Sequence, residues 1–411
     1  MVTGVQPTPH IVMLLLNNSS LGGAERRYAQ IYEHLRRRNV AISLAINESL
    51  LRKLIQSGIL SESIPDLVLK EWIGNVASYV FRMNDASRRE IRSGRGIIRN
   101  IIRVAAFALG KLDYAIGSLN VAWWVLRRGP QVLHLILGGA YVALPLQIIR
   151  CAPPSVISVV SPNLRGMVGS GPGYGLYRLA LRFAHIVDAL TDSIRLALEQ
   201  EGISAKRIRV SPGSSVDTGR FLPAAVKHPW VVFAGRLIPE KNPDQFVAVC
   251  ALVHRRHPRA QFFILGDGPL HSEVQNLVKQ HGMEPYTEMG WHDHVEAVFR
   301  HTLVFVSIQT MDNYPSQALL EAMSCGAAVV ATDVGQTGKL VDETVGMRVE
   351  AKPEAVAEAV VHLLDNPEEA AAMGRRGRQR VLEEHSTEAY LDYLERVYRD
   401  LDHERTERHK A

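Results

Sequence analysis

The strongest constraint on this chain is a rhythm of short, continuous apolar runs, each followed by a polar loop and a helical stretch. "HIVMLLLN" (His10 to Asn17) is apolar across its whole middle. A strand with both faces covered by helices reads this way, whereas a half-solvated strand alternates. Further runs fall at Val40 to Asn47, Val132 to Leu137, Ser155 to Val160, Ile186 to Thr191 and Arg207 to Ser211. The stretch "FLPAAVKHPW", with two prolines, reads as a linker. The rhythm then restarts, at Trp230 to Ala234, Gln261 to Leu265, Leu303 to Ile308, Ala327 to Thr332 and Met347 to Val349. The expected fold is α/β with two parallel-sheet domains, each opening on a strand–loop–helix unit. The expected divisions are 1–225, 226–385 and a C-terminal helical segment, 386–411, that returns to the first domain. In open parallel sheets ligands bind beyond the carboxyl ends of the strands. Two such domains face to face would form a cleft between those ends.

Composition narrows the class. With 411 residues, 46% hydrophobic and 22% charged, the chain is neither disordered nor collagen-like. Three cysteines, Cys151, Cys250 and Cys325, are too few and too scattered for a disulfide framework or a zinc site, and read as buried thiols. The uncharged run Val132 to Ile149 approaches the length of a membrane span, but it contains His134, Gly138-Gly139, Pro145 and Gln147. A strand, a glycine turn and a helix account for it better. No basic start with an apolar core and cleavage site is seen, so a reducing, cytoplasmic location is expected, with the inner face of the membrane open. Charge is unevenly divided. Up to His228 there are 28 Lys+Arg against 14 Asp+Glu, and from Pro229 there are 19 against 28. A basic half joined to an acidic half points to an anionic partner for the first domain.

The loops carry the chemistry. Gly22 and Gly23 stand between a strand and a helix, where glycine lets backbone amides approach an anion; a tight structural turn uses glycine equally well. In "FAGRLIPEKN", Arg236 follows a strand and Lys241 lies five residues later. Two cations there form a phosphate clamp, a planar fork beside a compact charge; the alternative is a pair of solvated cations. In "NYPSQALLEAMSCGAAVVATDVG", Pro315 and Ser316 signal a helix start, with Ser316 as N-cap and the amides near Ala318 and Leu319 free for an anion. Glu321 lies in the apolar part of that helix and needs a partner, either the paired hydroxyls of a ribose or a structural cation. No serine or cysteine nucleophile set, glycosidase-like carboxylate pair or metal-ligand motif stands out.

Together, the Gly-Gly-Ala-Glu loop, "GRL…EKN", "GDGP" and "LLEAM…G…VVATDVG" resemble glycosyltransferase family 4, the retaining GT-B nucleotide-sugar enzymes. The resemblance covers nearly the whole chain. It is strongest from Val231 to Gly335 and thin between Arg52 and Arg128. It implies that Arg236 and Lys241, with Gly235 beside them, bind the donor diphosphate and stabilise the leaving charge. It implies that Glu321 holds the ribose and that Asn313, Tyr314, Pro315, Ser316 and Gln317 surround the donor sugar. Gly22 and Gly23 would complete the phosphate site, and the base would lie near Gly290-Trp291. The implied reaction is transfer of a sugar with retention, by front-face attack; because no metal-ligand motif is seen, neither a metal nor another cofactor is expected. Two departures stand out. Asn313 occupies the position of the family's first glutamate, with Asp312 next to it as a candidate replacement. Ser161-Pro162-Asn163 stands where many relatives carry a histidine, leaving Asn163 or His134 to cover part of that role on the acceptor side; His134 on an apolar strand also suits a structural histidine.

Arg88, Arg92, Arg95, Arg99 and Arg103 are spaced to form one stripe on a helix, beside an apolar stripe from Ile98 to Leu109. This pattern suits peripheral contact with an anionic membrane and a lipid-linked saccharide acceptor; a solvated helix is the alternative. No nucleic-acid reader motif is present. The expected function is therefore sugar transfer from a nucleotide-sugar to a glycan or lipid-linked glycan, in bacterial-type cell-surface polysaccharide synthesis. A sugar-nucleotide epimerase of the same architecture, or a catalytically degenerate nucleotide-sugar-binding protein, remains open at this point.

Overall fold

The structure is a computed structural model that describes residues 9–16, 23–60, 66–69, 116–148, 152–164 and 172–410. It divides into two compact units, Met1–Ser211 with Leu391–Ala411, and Pro212–Tyr390. These divisions differ from the sequence boundaries at 225 and 385. Residues after Ser211 belong to the second unit because Val216 is stitched to the end of that unit. Its N–H donates to the His385 carbonyl at 2.8 Å, and its own carbonyl accepts from the Thr387 N–H at 2.9 Å. Val216 and Phe221 are also buried in the second unit's core.

The first unit holds β1 (Ile11–Leu16), β2 (Ile42–Asn47), β3 (Leu67–Leu69), β4 (Val132–Leu137), β5 (Ser155–Val159), β6 (Ile186–Ala189) and β7 (Ile208–Val210). They form one sheet in the order β3-β2-β1-β4-β5-β6-β7, with every pairing parallel. All six residues of β1 and of β4 are buried, as the continuous apolar runs require. The uncharged run from Val132 is β4, a turn and the short helices Gly139–Val142 and Leu144–Ile148. Among the described residues no helix is long and apolar enough to cross a membrane.

The second unit holds β8 (His228–Ala234), β9 (Gln261–Leu265), β10 (Thr287–Gly290), β11 (Thr302–Ser307), β12 (Ala328–Thr332) and β13 (Gly346–Val349). Their order is β10-β9-β8-β11-β12-β13, again all parallel. In both sheets the chain winds outward from the first strand, returns to its other side and winds outward again. The reversal leaves a crevice at the carboxyl ends of β1 and β4, and of β8 and β11. Cys250 and Cys325 are buried free thiols; Cys151 lies outside the described residues.

The last helix, Thr387–Lys410, packs on the first unit through buried polar groups. His134 on β4 is 0% exposed. Its Nε2 lies 2.8 Å from the Ser158 hydroxyl and its Nδ1 2.7 Å from the Tyr398 hydroxyl. Ser158 donates its only hydrogen to Asp188 at 2.7 Å, so His134 Nε2–H must donate to Ser158, and Nδ1 must accept from Tyr398. Tyr393 donates to the other Asp188 oxygen at 2.8 Å. Both ring nitrogens are committed, and burial pushes the imidazole pKa down to about 3. The acceptor-binding expectation for His134 is therefore corrected: it is a neutral, satisfied core histidine with no face for a ligand.

Two outcomes follow from this network. Tyr398→Phe leaves His134 Nδ1 buried without a donor, and should lower the unfolding free energy by about 1–3 kcal/mol, read as an earlier urea midpoint; an unchanged midpoint would mean that the network contributes nothing. The second outcome concerns pH. The unfolded chain protonates this histidine near 6.5 and the folded chain only near 3. Its contribution is thus complete above pH 6.5 and shrinks as pH falls towards 3. His134→Gln should flatten that part of the stability–pH curve.

Candidate functional site

The crevice of the second sheet opens into a cavity of about 320 Å³. Its floor is the end of β8 (Phe233, Ala234) with Gly235 just beyond it, and the end of β11 (Phe305, Val306, Ser307). Its walls are Lys241, Gln309 and Asn313 on one loop pair, and Pro315 to Ala318 at the start of the helix Gln317–Ser324. The cavity thus sits where strand order reverses, with a loop from each side of the reversal.

Backbone packing fixes the first loop. A Cβ on Gly266 would stand 2.0 Å from the Gly235 carbonyl oxygen, and one on Gly268 would stand 2.5 Å from that of Leu237. Only glycine permits this approach. The "GDGP" segment therefore lies against Gly235–Leu237, and the Leu237 N–H donates to the Asp267 carbonyl at 3.0 Å. Arg236, between them, is held at the strand end with its side chain exposed. The chain continues through the short 3-10 turn Pro239–Lys241 and starts the helix Pro243–Arg256. The Thr310 N–H donates to the Glu240 carbonyl at 3.2 Å, which ties the lysine loop to the loop bearing Asn313.

Lys241 is half-buried, and neither its ammonium nor the Arg236 guanidinium has a hydrogen-bond or ion-pair partner among the described residues. Burial, and then the charge of Arg236, bring the Lys241 pKa down to about 8, against the opposing pull of Glu240. Two cations held near each other beside a cavity gain from an anion that can span both.

Glu321 lies one turn beyond Gln317. Burial raises its carboxyl to about 7, although the Gln317 amide and the Arg220 charge favour ionisation; Glu296 adds to the rise. Gln317 is itself held. Ser214 donates to its Oε1, so its Nε2 faces Glu321 Oε1 and donates at 2.9 Å. No ion pair to Glu321 is found among the described residues, since Arg220 is bonded to Glu296 at 2.7 Å. Arg220 acts on this carboxylate through its charge, without an ion pair between them.

The other expected residues divide clearly. Gly235, Asn313, Pro315, Ser316, Gln317 and Ala318 line the cavity with Lys241. Leu319 is buried in the core. Ser316 occupies the N-cap position without a side-chain cap bond. The Tyr314–Pro315 peptide is cis, and the Lys339 ammonium lies 5.5 Å from the Tyr314 ring centre. Trp291 is 72% exposed, donates to Asp293 at 2.9 Å, and does not line the cavity. Asp312 does not replace the missing glutamate. Its oxygens accept from the Gln336 N–H at 3.1 Å, the Gln336 side chain at 3.0 Å and the Tyr314 N–H at 3.2 Å. Burial opposes its ionisation, but these bonds prevail and its pKa is lowered. It is a brace for the loop. Gly23 opens the helix Gly23–Arg37 of the first unit, with open space where a Cβ would stand; Gly22 lies outside the described residues. Asn163 is exposed beyond β5, its N–H bonded to Ser161 Oγ at 3.2 Å. The sequence reading missed Ser307, Gln309 and Ser214. The polar ending of "VFVSIQ" was the available signal for the first two; nothing local marks Ser214, which meets Gln317 across 103 positions.

The family model described as glycosyl transferases group 1 matches residues 220–380. One phosphatidylinositol N-acetylglucosaminyltransferase chain, from Arabidopsis thaliana, is 28% identical over 182 residues, 41% of this chain and 40% of that protein. A GDP-mannose-dependent alpha-(1-6)-phosphatidylinositol monomannoside mannosyltransferase of Mycolicibacterium smegmatis is 30% identical over 216 residues, 44% of this chain and 53% of that protein. The chain thus spans about half the length, or less, of these curated relatives. Among solved structures, Anabaena HepE in complex with UDP superposes with a TM-score of 0.64 at 16% identity, covering 95% of this chain and all of that one. A glycosyltransferase of Rickettsia africae gives 0.66 at 14% identity, covering 96% and 98%. Both likenesses concern the fold, two Rossmann-like parallel-sheet domains of GT-B type. The residues that frame the cavity all lie inside the segment, 220–380, that matches the glycosyl transferases group 1 model.

Proposed function

We propose that this protein transfers a sugar from a nucleotide-sugar to a glycan or lipid-linked glycan, with retention of anomeric configuration, in the synthesis of a cell-surface polysaccharide. The observation that carries this reading is the cavity at the strand reversal of the second sheet, with Lys241 in its wall and Arg236 beside Gly235. Arg236 and Lys241 bind the donor diphosphate and stabilise the charge that grows on it as the glycosidic bond breaks. Glu321 accepts from the ribose hydroxyls through the oxygen that Gln317 leaves open. Asn313 and the following loop contact the sugar; an amide there supplies hydrogen bonds but no full charge. The acceptor hydroxyl attacks from the leaving-group side and its proton passes to the departing phosphate, so catalysis is mainly positioning and electrostatics, with no metal or other cofactor. The UDP complex of HepE supports a nucleoside diphosphate site on this fold. The names of the phosphatidylinositol-directed relatives support a lipid-linked acceptor. Peripheral attachment to the inner face of a membrane belongs to the same proposal; the arginine stripe from Arg88 to Arg103 lies outside the described residues. Mass spectrometry of products from mixed nucleotide-sugars and lipid-extracted acceptors tests the whole. An isomerised nucleotide-sugar formed without acceptor, or tight binding without turnover, would sink it.

Arg236→Ala and Lys241→Ala should each cut transfer roughly a hundredfold, about 3 kcal/mol of transition-state stabilisation, with the thermal midpoint retained. Near-normal turnover in both variants would remove the clamp.

Nucleotide-sugar affinity should be bell-shaped in pH. Glu321 becomes a full acceptor only above about 7. Lys241 loses its charge above about 8. The donor diphosphate does not titrate in this window, so both limbs belong to the protein. Calorimetry should show Glu321→Gln binding more weakly at neutral pH and lacking the acid limb, and Lys241→Arg lacking the alkaline limb.

A further inference from the structure

The first unit contains a helix that is apolar on both sides. In residues 116–128, Val121, Trp124 and Val125 are buried in the core. Ile116, Leu119, Trp123 and Leu126, spaced 3, 4 and 3, face outward. Leu119 is 67% exposed and Trp123 60%. A helix apolar all round calls for cover on both sides. The segment holds no acidic residue and ends in Arg127 and Arg128. The Arg127 guanidinium lies 4.9 Å from the Trp123 ring centre. Arg128 is tied to Asp66 at 3.1 Å, so among the described residues of this helix Arg127 is the charge available at the outward stripe.

We infer that this helix is a bilayer-seating face, laying Ile116, Leu119, Trp123 and Leu126 into the headgroup boundary of an anionic membrane, with Arg127 at the lipid phosphates. The inference rests on the lipid-linked acceptor proposed above. Tryptophan paired with a cation suits the boundary between lipid and water. A helix of this length reaches about 20 Å, short of a hydrocarbon core of about 30 Å, so it lies on the membrane and does not cross it. Four side chains also offer far less than the roughly 800 Å² per partner that a stable dimer buries. The surplus of 28 Lys+Arg over 14 Asp+Glu up to His228 gives this half of the chain the sign that an anionic surface attracts.

Sedimentation of the full chain with phosphatidylcholine vesicles, with and without phosphatidylglycerol, tests the face. Wild type should pellet with the anionic vesicles at low salt and less as salt rises. The combined Leu119→Ser, Trp123→Ser and Leu126→Ser variant should lose at least about tenfold in partition, since each buried methylene counts. Arg127→Glu should lose several-fold, giving a second reading if the triple variant folds poorly. Thermal midpoint and nucleotide affinity should stay unchanged in both. The inference is overturned if wild type ignores anionic vesicles or binds neutral ones equally well. It is also overturned if the folded variants bind as wild type does, or if wild type self-associates without vesicles and the triple variant abolishes that. Sedimentation needs no turnover, so it can fail while sugar transfer stands, and transfer can fail while it succeeds.

Discussion

The close backbone contact between Gly266–Gly268 and Gly235–Leu237 governs the second unit's site. A side chain at either glycine would push the two loops apart, and Arg236 would move with them. Because the contact is backbone on backbone, it leaves Arg236 free to point outward while its Cα is fixed. The Glu240–Thr310 bond then carries that fixed point across the strand reversal to the loop of Asn313. A cavity at a strand reversal comes with any sheet of this order; the glycine contact and the loop tie determine which side chains surround this one.

The strands that build the two sheets were legible wherever they are central. β1 is an unbroken apolar run, and β4, β8 and β11 are apolar apart from His134, from His228 and Pro229, and from Thr302 and Ser307, because helices cover both faces. β3 and β10 were not found. β3 is three half-buried residues at a sheet edge, and β10 reads Thr-Glu-Met-Gly. An edge strand needs no apolar run, and its pairing comes from a neighbour that the local pattern does not show. The unit boundaries were misplaced for a similar reason. Val216 joins the second unit through a partner far along the chain, Ser386, whereas proline content drew the boundary towards residue 225.

The site was legible in its charges and less so in its connections. Arg236, Lys241 and Glu321 stood out because a charge at a strand end, or in an apolar helix, needs a reason. The burial of His134 depended on Ser158 and Tyr398, which lie 24 and 264 positions away. Asp312 stands beside Asn313 in the sequence, but Gln336, 24 positions on, occupies both its oxygens. Spacing identifies candidate groups; it does not show which are already occupied.

The return of the last helix has a consequence for synthesis. The second unit is one continuous segment, and the first is completed only by Leu391–Ala411. As the chain leaves the ribosome, all of Pro212–Tyr390 emerges before the residues that supply Tyr393 and Tyr398. The second unit can therefore close first, while β4 and β6 wait with His134 and Asp188 lacking those hydroxyls. Domains generally fold as units in the order they are made. The residues before Pro212 thus wait for those after Tyr390, and a stop falling between Tyr390 and Tyr398 strikes the first unit and spares the second.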